Sequence, residues 1–231
     1  MVNGYSEKQK ELIDELEKSF AAGTFKPTIV DMQQDYVHDD NICLTSVVFI
    51  PDDLSQKIIE DIINPLKDIE PQHYYYSAGS LHITIKNIRT VHKPPLFTPS
   101  DVKKAQEVFE MVVSTFPAFK FTVEDVLAFP TSAAVMGYSD DALQKLVVRL
   151  DEELKKAGVP DNKQYLSDSV FWGNVTVCRF VERPGEKFMA ALKKMRNLKI
   201  GTLTVNRIDL ITCNVGCSPN SKTLLAEYRL S

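Results

Sequence analysis

The chain has 231 residues, 44% hydrophobic and 25% charged, with 27 basic and 31 acidic side chains and a formal net charge of −4. That size and balance suit one sizeable core or two fused small ones. The acidic balance excludes a general nucleic-acid-coating protein, which relies on a large positive surplus, but it leaves room for a local positive site around a small anion.

The first element is a helix. Ser6 and Gln9 have capping-box spacing, Leu12, Ile13, Leu16 and Phe20 form one apolar stripe, and Gly23 is suited to end the helix in a left-handed conformation. Residues 24–41 show no clean period and read as a connector. Cys43 to Ile50 is apolar and β-branched, a buried strand stopped by Pro51. Leu54, Ile58, Ile59, Ile62, Ile63 and Leu66 make a helical stripe ending near Pro65, and Leu81 to Ile88 returns to period two. After a proline-rich loop, Thr98 and Pro99 open a helix as N-cap and first helical residue, with Val102, Ala105, Val108, Phe109, Val112 and Phe116 as its stripe.

Two extended runs follow, Phe119 to Phe129 and Ser132 to Tyr138. Ser139 is placed to cap a helix carrying Leu143, Leu146, Val147, Leu150 and Leu154, which Gly158 ends. Val170 to Phe180 is a strand, and Phe188, Leu192 and Met195 mark a helix. Three strands close the chain around Ile200 to Val205, Ile208 to Val215 and Thr223 to Leu230. Helices thus alternate with hairpin-like strand groups and no glycine-rich phosphate loop occurs. That points to an α+β domain with mainly antiparallel sheets. No boundary divides residues 42–231, so residues 1–41 read as a helix and connector beside one domain.

The cysteines Cys43, Cys178, Cys213 and Cys217 have neither zinc-site nor disulfide-framework spacing. Each sits in or beside an apolar run, so they read as buried free thiols, which fits a reducing compartment. The N-terminus lacks the apolar core of a signal peptide, and no apolar stretch approaches the ~20 residues needed to cross a bilayer. A cytoplasmic protein without membrane contact is expected.

One short pattern occurs twice, as Leu81-His82-Ile83-Thr84-Ile85 and as Gly173-Asn174-Val175-Thr176-Val177. Alternation along a strand turns His82, Thr84 and Lys86 to one face, and Asn174, Thr176 and Cys178 to one face. Each copy follows a long amphipathic helix, as an internal duplication with two lobes meeting across a groove would.

These motifs resemble those of the 2H phosphoesterase superfamily, which includes 2′-5′ RNA ligase-like proteins and cyclic nucleotide phosphodiesterases. That family carries one His-x-Thr/Ser motif, followed by an apolar residue, in each lobe. The resemblance covers roughly residues 42–231. LHITIKNI matches fully. GNVTVCRF matches at Thr176, Val177 and Arg179, but Asn174 stands where the family has its second histidine. The resemblance implies a bilobal α+β fold, with two antiparallel sheets, flanking helices and pseudo-twofold symmetry around a central groove.

It also implies roles. Thr84 and Thr176 would donate to phosphate oxygens from opposite sides, which stabilises charge growing there. His82 would be the surviving acid/base, suited by an unperturbed pKa of about 6.5. Asn174 donates and accepts hydrogen bonds but exchanges no proton near neutrality, and loss of one acid or base typically costs roughly 10²- to 10⁴-fold in rate. His73, Tyr74 or a water is a candidate for the missing role. Arg179 lies an odd number of residues after Asn174 and reaches the groove only where the strand ends or bulges. Lys86 shares the His82 face as a candidate anion ligand. Tyr76, within Tyr74-Tyr75-Tyr76, and Trp172, after Phe171, are candidates to stack a nucleobase; His38 and His92 receive no role. The expectation is a monomer that recognises a small phosphorylated ligand, a nucleotide or an RNA end in RNA processing, with no metal or cofactor and no general DNA binding. Cyclic phosphodiester hydrolysis is the activity in view, and non-catalytic phosphate binding the alternative.

Overall fold

A computed structural model describes residues 4–24 and 30–231. The elements run α1 (Gly4–Ala21), β1 (Ile42–Phe49), α2 (Asp52–Ile58), a π-helical turn over Ile59–Ile63, α3 (Asn64–Ile69), β2 (Tyr74–Tyr75) and β3 (His82–His92). Then come α4 (Pro99–Val113), β4 (Phe119–Phe129), β5 (Ser132–Tyr138), α5 (Asp141–Lys156), β6 (Gly173–Arg179), α6 (Glu186–Lys194), β7 (Lys199–Val205), β8 (Arg207–Cys213) and β9 (Thr223–Arg229). Of the connector, residues 25–29 lie outside the described residues.

The strands pair in the order β7-β4-β5-β6-β3-β1-β8-β9, with β2 added against β6, and all their pairings are antiparallel. The two expected sheets are therefore the halves of one sheet. Each half has four strands, and they join where Ile83 of β3 sits opposite Val175 of β6. Fusion at this point leaves neither half with a bare inner edge. Gly173 lets the halves meet, because a Cβ there would stand 2.8 Å from Ile83 Cγ2 and 3.0 Å from the Phe121 ring.

The main core lies between one face of the sheet and helices α2 to α6. It contains Ile83, Ile85, Val175 and Val177 together with Phe109, Leu146, Leu150 and Phe188. The opposite face is partly covered by α1. Ile13 and Leu16 pack there on Leu127, Met136 and Tyr138, with Phe20, Phe129 and Trp172 at the margin.

Three local expectations need correction. Ser6 and Gln9 form no capping box, since both lie inside α1. The Gln9 side chain is fully buried and bonds the carbonyl of Phe171 and the N–H of Ser139. The cap of α5 is Asp140 rather than Ser139, with Asp140 Oδ1 accepting from the N–H of Ala142 at 3.0 Å. The helix through Pro65 continues to Ile69. Pro65 has no N–H to give, and the preceding turn widens so that Asn64 N–H bonds to Ile59 O. Thr98 and Pro99 do open α4, in a capping box with Asp101.

Candidate functional site: a groove-facing pair of motif strands

The motif strands β3 and β6 lie side by side at the centre of the sheet. Ile83 and Val175 face each other and are fully buried toward the helices. The residues flanking each are turned to the other face and half-buried, with His82 on the side of Thr176 and Thr84 on the side of Asn174. The structure thus brings together all four motif side chains. Asn174 Nδ2 approaches Thr176 Oγ1 at 3.5 Å.

Both strands bulge one residue after their threonine. On β3, Thr84 pairs with Val47 and Lys86 with Ser46, leaving Ile85 as the extra residue. On β6, Thr176 pairs with Ala134 and Cys178 with Ala133, leaving Val177 extra. A bulge reverses the alternation beyond it. Arg179 consequently joins the face of Asn174 and Thr176. Its Nε donates to Tyr76 Oη at 3.3 Å, and it has no carboxylate partner among the described residues.

The same shift overturns the reading of Lys86 and of Cys178. Cys178 is buried in the main core. Lys86 turns to the helical side, only 2% exposed, where Nζ bonds Asp151 Oδ1 at 2.9 Å and Asp161 Oδ2 at 2.7 Å. It is a structural ion pair and not a groove cation. Asn87 holds the place on β3 that Arg179 holds on β6, and its buried Oδ1 has no hydrogen-bond partner.

The aromatic candidates are also reassigned. Tyr76 is 3% exposed and donates to Val215 O at 2.8 Å, so it presents no face to a base and serves to hold Arg179. Trp172 packs beside the α1 cluster. His73 is buried against Phe180 and Phe188 with Glu70 at 2.8 Å, which removes it as a substitute proton donor. Tyr74 packs between Tyr36, tilted against it, and Tyr76, edge-on to it.

His82 Nδ1 lies 2.7 Å from Ser80 O. Burial disfavours the charged ring, but Cys217, the Ser80 carbonyl and Cys43 outweigh it, and the His82 pKa is raised. Two further cations border this region. Lys222 Nζ sits 4.2 Å from the centre of the Phe49 ring and bonds Gly79 O, while Phe49 packs edge-on against His82. Lys163, in the loop before β6, holds its ammonium 5.1 Å from the Tyr165 ring centre. Desolvation first, then the positive charges of Lys86 and Arg179, push its pKa down against the pull of Asp161. The residue as a whole is exposed. A cavity of about 820 Å³ is lined by the Lys86–Asp151–Asp161 ion pair, Lys163, Tyr165 and the end of α1, among others, and not by the four motif side chains.

Lys163 and Lys222 were missed in the sequence because they sit in loops with no motif. Among the described residues, no carboxylate pairs with Arg179, Lys163 or Lys222.

No protein-family model matches this chain, and no curated protein matches it. Solved structures do. TT0787 of Thermus thermophilus matches with a TM-score of 0.59 at 12% identity, covering 81% of this chain and 97% of that one. A protein described as a phosphoesterase matches at 0.57 and 15% identity, over 83% and 99%. LigT of E. coli, in its apo form, matches at 0.54 and 17% identity, over 84% and 99%. The protein has the fold of the 2H phosphoesterases, the fold that the two motifs resemble. No described helix is long and apolar enough to cross a membrane.

Proposed function

We propose that this protein binds the phosphate of a nucleotide or an RNA end across β3 and β6, and hydrolyses cyclic phosphodiesters slowly with His82 as its single catalytic histidine. The observation that carries this reading is Arg179. A bulge brings it onto the face of Asn174 and Thr176, Tyr76 steadies it, and no described carboxylate neutralises it. An unpaired cation on that face favours an anion beside it. Crystal structures of E. coli LigT, which shares the fold, are described as complexes with 3′-AMP, ATP, NADP+ and phosphate. That supports the same ligand class here.

In this reading Thr84 and Thr176 donate hydroxyl hydrogen bonds to the phosphoryl oxygens, and Arg179 adds a charge-assisted bond. His82 exchanges the proton of the reacting oxygen. Asn174 orients the ligand or a water but moves no proton. That substitution favours a second reading, in which the groove binds its ligand without turnover.

The test is a panel of 2′,3′-cyclic nucleotides and cyclic-phosphate RNA ends, followed by thermal stabilisation and by product formation. Binding at a hundred times Kd should stabilise the protein by about 2.7 kcal/mol. Turnover lost in His82→Ala supports the enzyme, and stabilisation without turnover supports the binder. Absence of both overturns the phosphate reading.

A further inference from the structure

One short stretch of chain anchors three basic groups. Residues 76–80 follow β2 and end in a 3₁₀ turn over Ala78–Ser80. Tyr76 Oη accepts from Arg179 Nε at 3.3 Å. Ser80 O stands 2.7 Å from His82 Nδ1, and the adjacent carbonyl, Gly79 O, accepts from Lys222 Nζ at 2.8 Å. Arg179 and His82 belong to the motif strands, but Lys222 has no part in the phosphate reading so far.

Lys222 comes from the loop between β8 and β9, far from either motif in sequence, yet its ammonium lies on the motif face. Phe49 on β1 is the cross-strand partner of His82, so the two side chains share one side of the sheet, and their rings meet edge-on with centres 6.1 Å apart. Lys222 Nζ sits 4.2 Å from the centre of that Phe49 ring. The loop that carries it is tied down. Tyr76 Oη donates to Val215 O at 2.8 Å, which joins the loop to residues 76–80. Within the loop, Ser218 N–H bonds Asn214 Oδ1 at 3.1 Å and Lys222 N–H bonds Ser218 O at 3.1 Å. Immobilising a long side chain is a cost of binding, and a lysine already held by a carbonyl and a ring has met part of it.

These contacts do not neutralise the ammonium. A carbonyl occupies one of its three donors, and among the described residues no carboxylate pairs with Lys222 or with Arg179. Two permanent cations are thus anchored to the stretch that also anchors the histidine. A phosphodiester brings one negative charge to such a place, whereas a terminal phosphate brings about −1.5 to −2 at pH 7.

We propose that Lys222 is a specificity-determining residue of the groove: with Arg179 it selects a terminal phosphomonoester, the end group of a nucleotide or of an RNA strand, over a phosphodiester. The proposal rests on the groove reading and names the charge state of its ligand, which is also that of the group released when a cyclic phosphodiester is hydrolysed.

The test is calorimetric titration at about pH 8, where a monoester is a dianion, with two probes that differ by one methyl group and one charge: 3′-AMP and adenosine 3′-(methyl phosphate). Wild type should bind 3′-AMP about ten-fold more tightly or better. Lys222→Met keeps an apolar stem over Phe49 without the charge. It should weaken 3′-AMP about ten-fold and the methyl ester less than about three-fold, so that the preference collapses, while Lys222→Arg should retain most of it. Lys222→Gln gives the same comparison if the methionine variant does not fold. No loss, or an equal loss for both probes, in a folded variant overturns the proposal; if Arg179→Ala still weakens 3′-AMP, the groove reading stands without Lys222. Wild type that binds neither probe overturns both.

Discussion

Replacing Arg179 with alanine separates a ligand cation from a structural one, because the two roles move affinity and stability in different ways. Arg179 makes a side-chain bond to Tyr76 Oη and has no carboxylate partner among the described residues. Its removal leaves no buried charge uncompensated. The cost to folding is therefore confined to one long hydrogen bond, about 1 kcal/mol or less, or about 2–4 °C in melting temperature for a chain of this size. The cost to binding is larger. A hydrogen bond to a charged group contributes about 1.5–3 kcal/mol, which weakens Kd for a nucleotide phosphate by about ten- to a hundred-fold. Calorimetric titration of the folded variant with 3′-AMP measures the effect on binding, and scanning calorimetry without ligand measures the effect on folding. Unchanged affinity, or a melting temperature lowered by about ten degrees, far beyond the loss of one such bond, would refute the assignment. Arg179→Lys should recover part of the affinity, since the point charge survives and the planar fork does not.

Lys86 should behave in the opposite way: Lys86→Met leaves Asp161, 4% exposed, and Asp151 facing each other without their cation, for a loss of about 3–5 kcal/mol in denaturant unfolding and no direct loss of phosphate contacts. Gly173→Ala drives a Cβ to within 2.8 Å of Ile83 at the seam of the two half-sheets, and should destabilise by about 1–3 kcal/mol, read as a lower urea midpoint. Asn174→His restores a proton-transfer group on the groove face beside Thr176. Cyclic phosphodiester hydrolysis should rise by roughly 10²- to 10⁴-fold, and no gain in a folded variant would show that the groove geometry has been rebuilt.

Local patterns in the sequence were enough to place every helix from α1 to α6 and every strand except the two-residue β2 within a few residues, because amphipathic stripes and caps are decided by neighbours along the chain. The pairing of His82 and Thr84 with Asn174 and Thr176 was also legible, since two like motifs in two like settings imply like strands. The face reached by a residue beyond each motif was not. Lys86 and Arg179 were both read by simple alternation, and bulges at Ile85 and Val177 sent each to the other side. A bulge is set by the partner strand's register, a long-range property.

Lys222 was invisible for a related reason. Loop residues carry no period, and its place over the Phe49 ring beside His82 depends on where β8 ends in space. What the sequence determined alone was the set of elements, the doubled motif and the absence of a second motif histidine. Tertiary structure decided that Arg179 joins the face of Asn174 and Thr176 while Lys86 turns to the helices, and that α1 lies against Met136 and Tyr138 on the same side of the sheet. Periodicity specifies which side of an element is apolar; only the meeting of distant strands fixes which polar groups share a space.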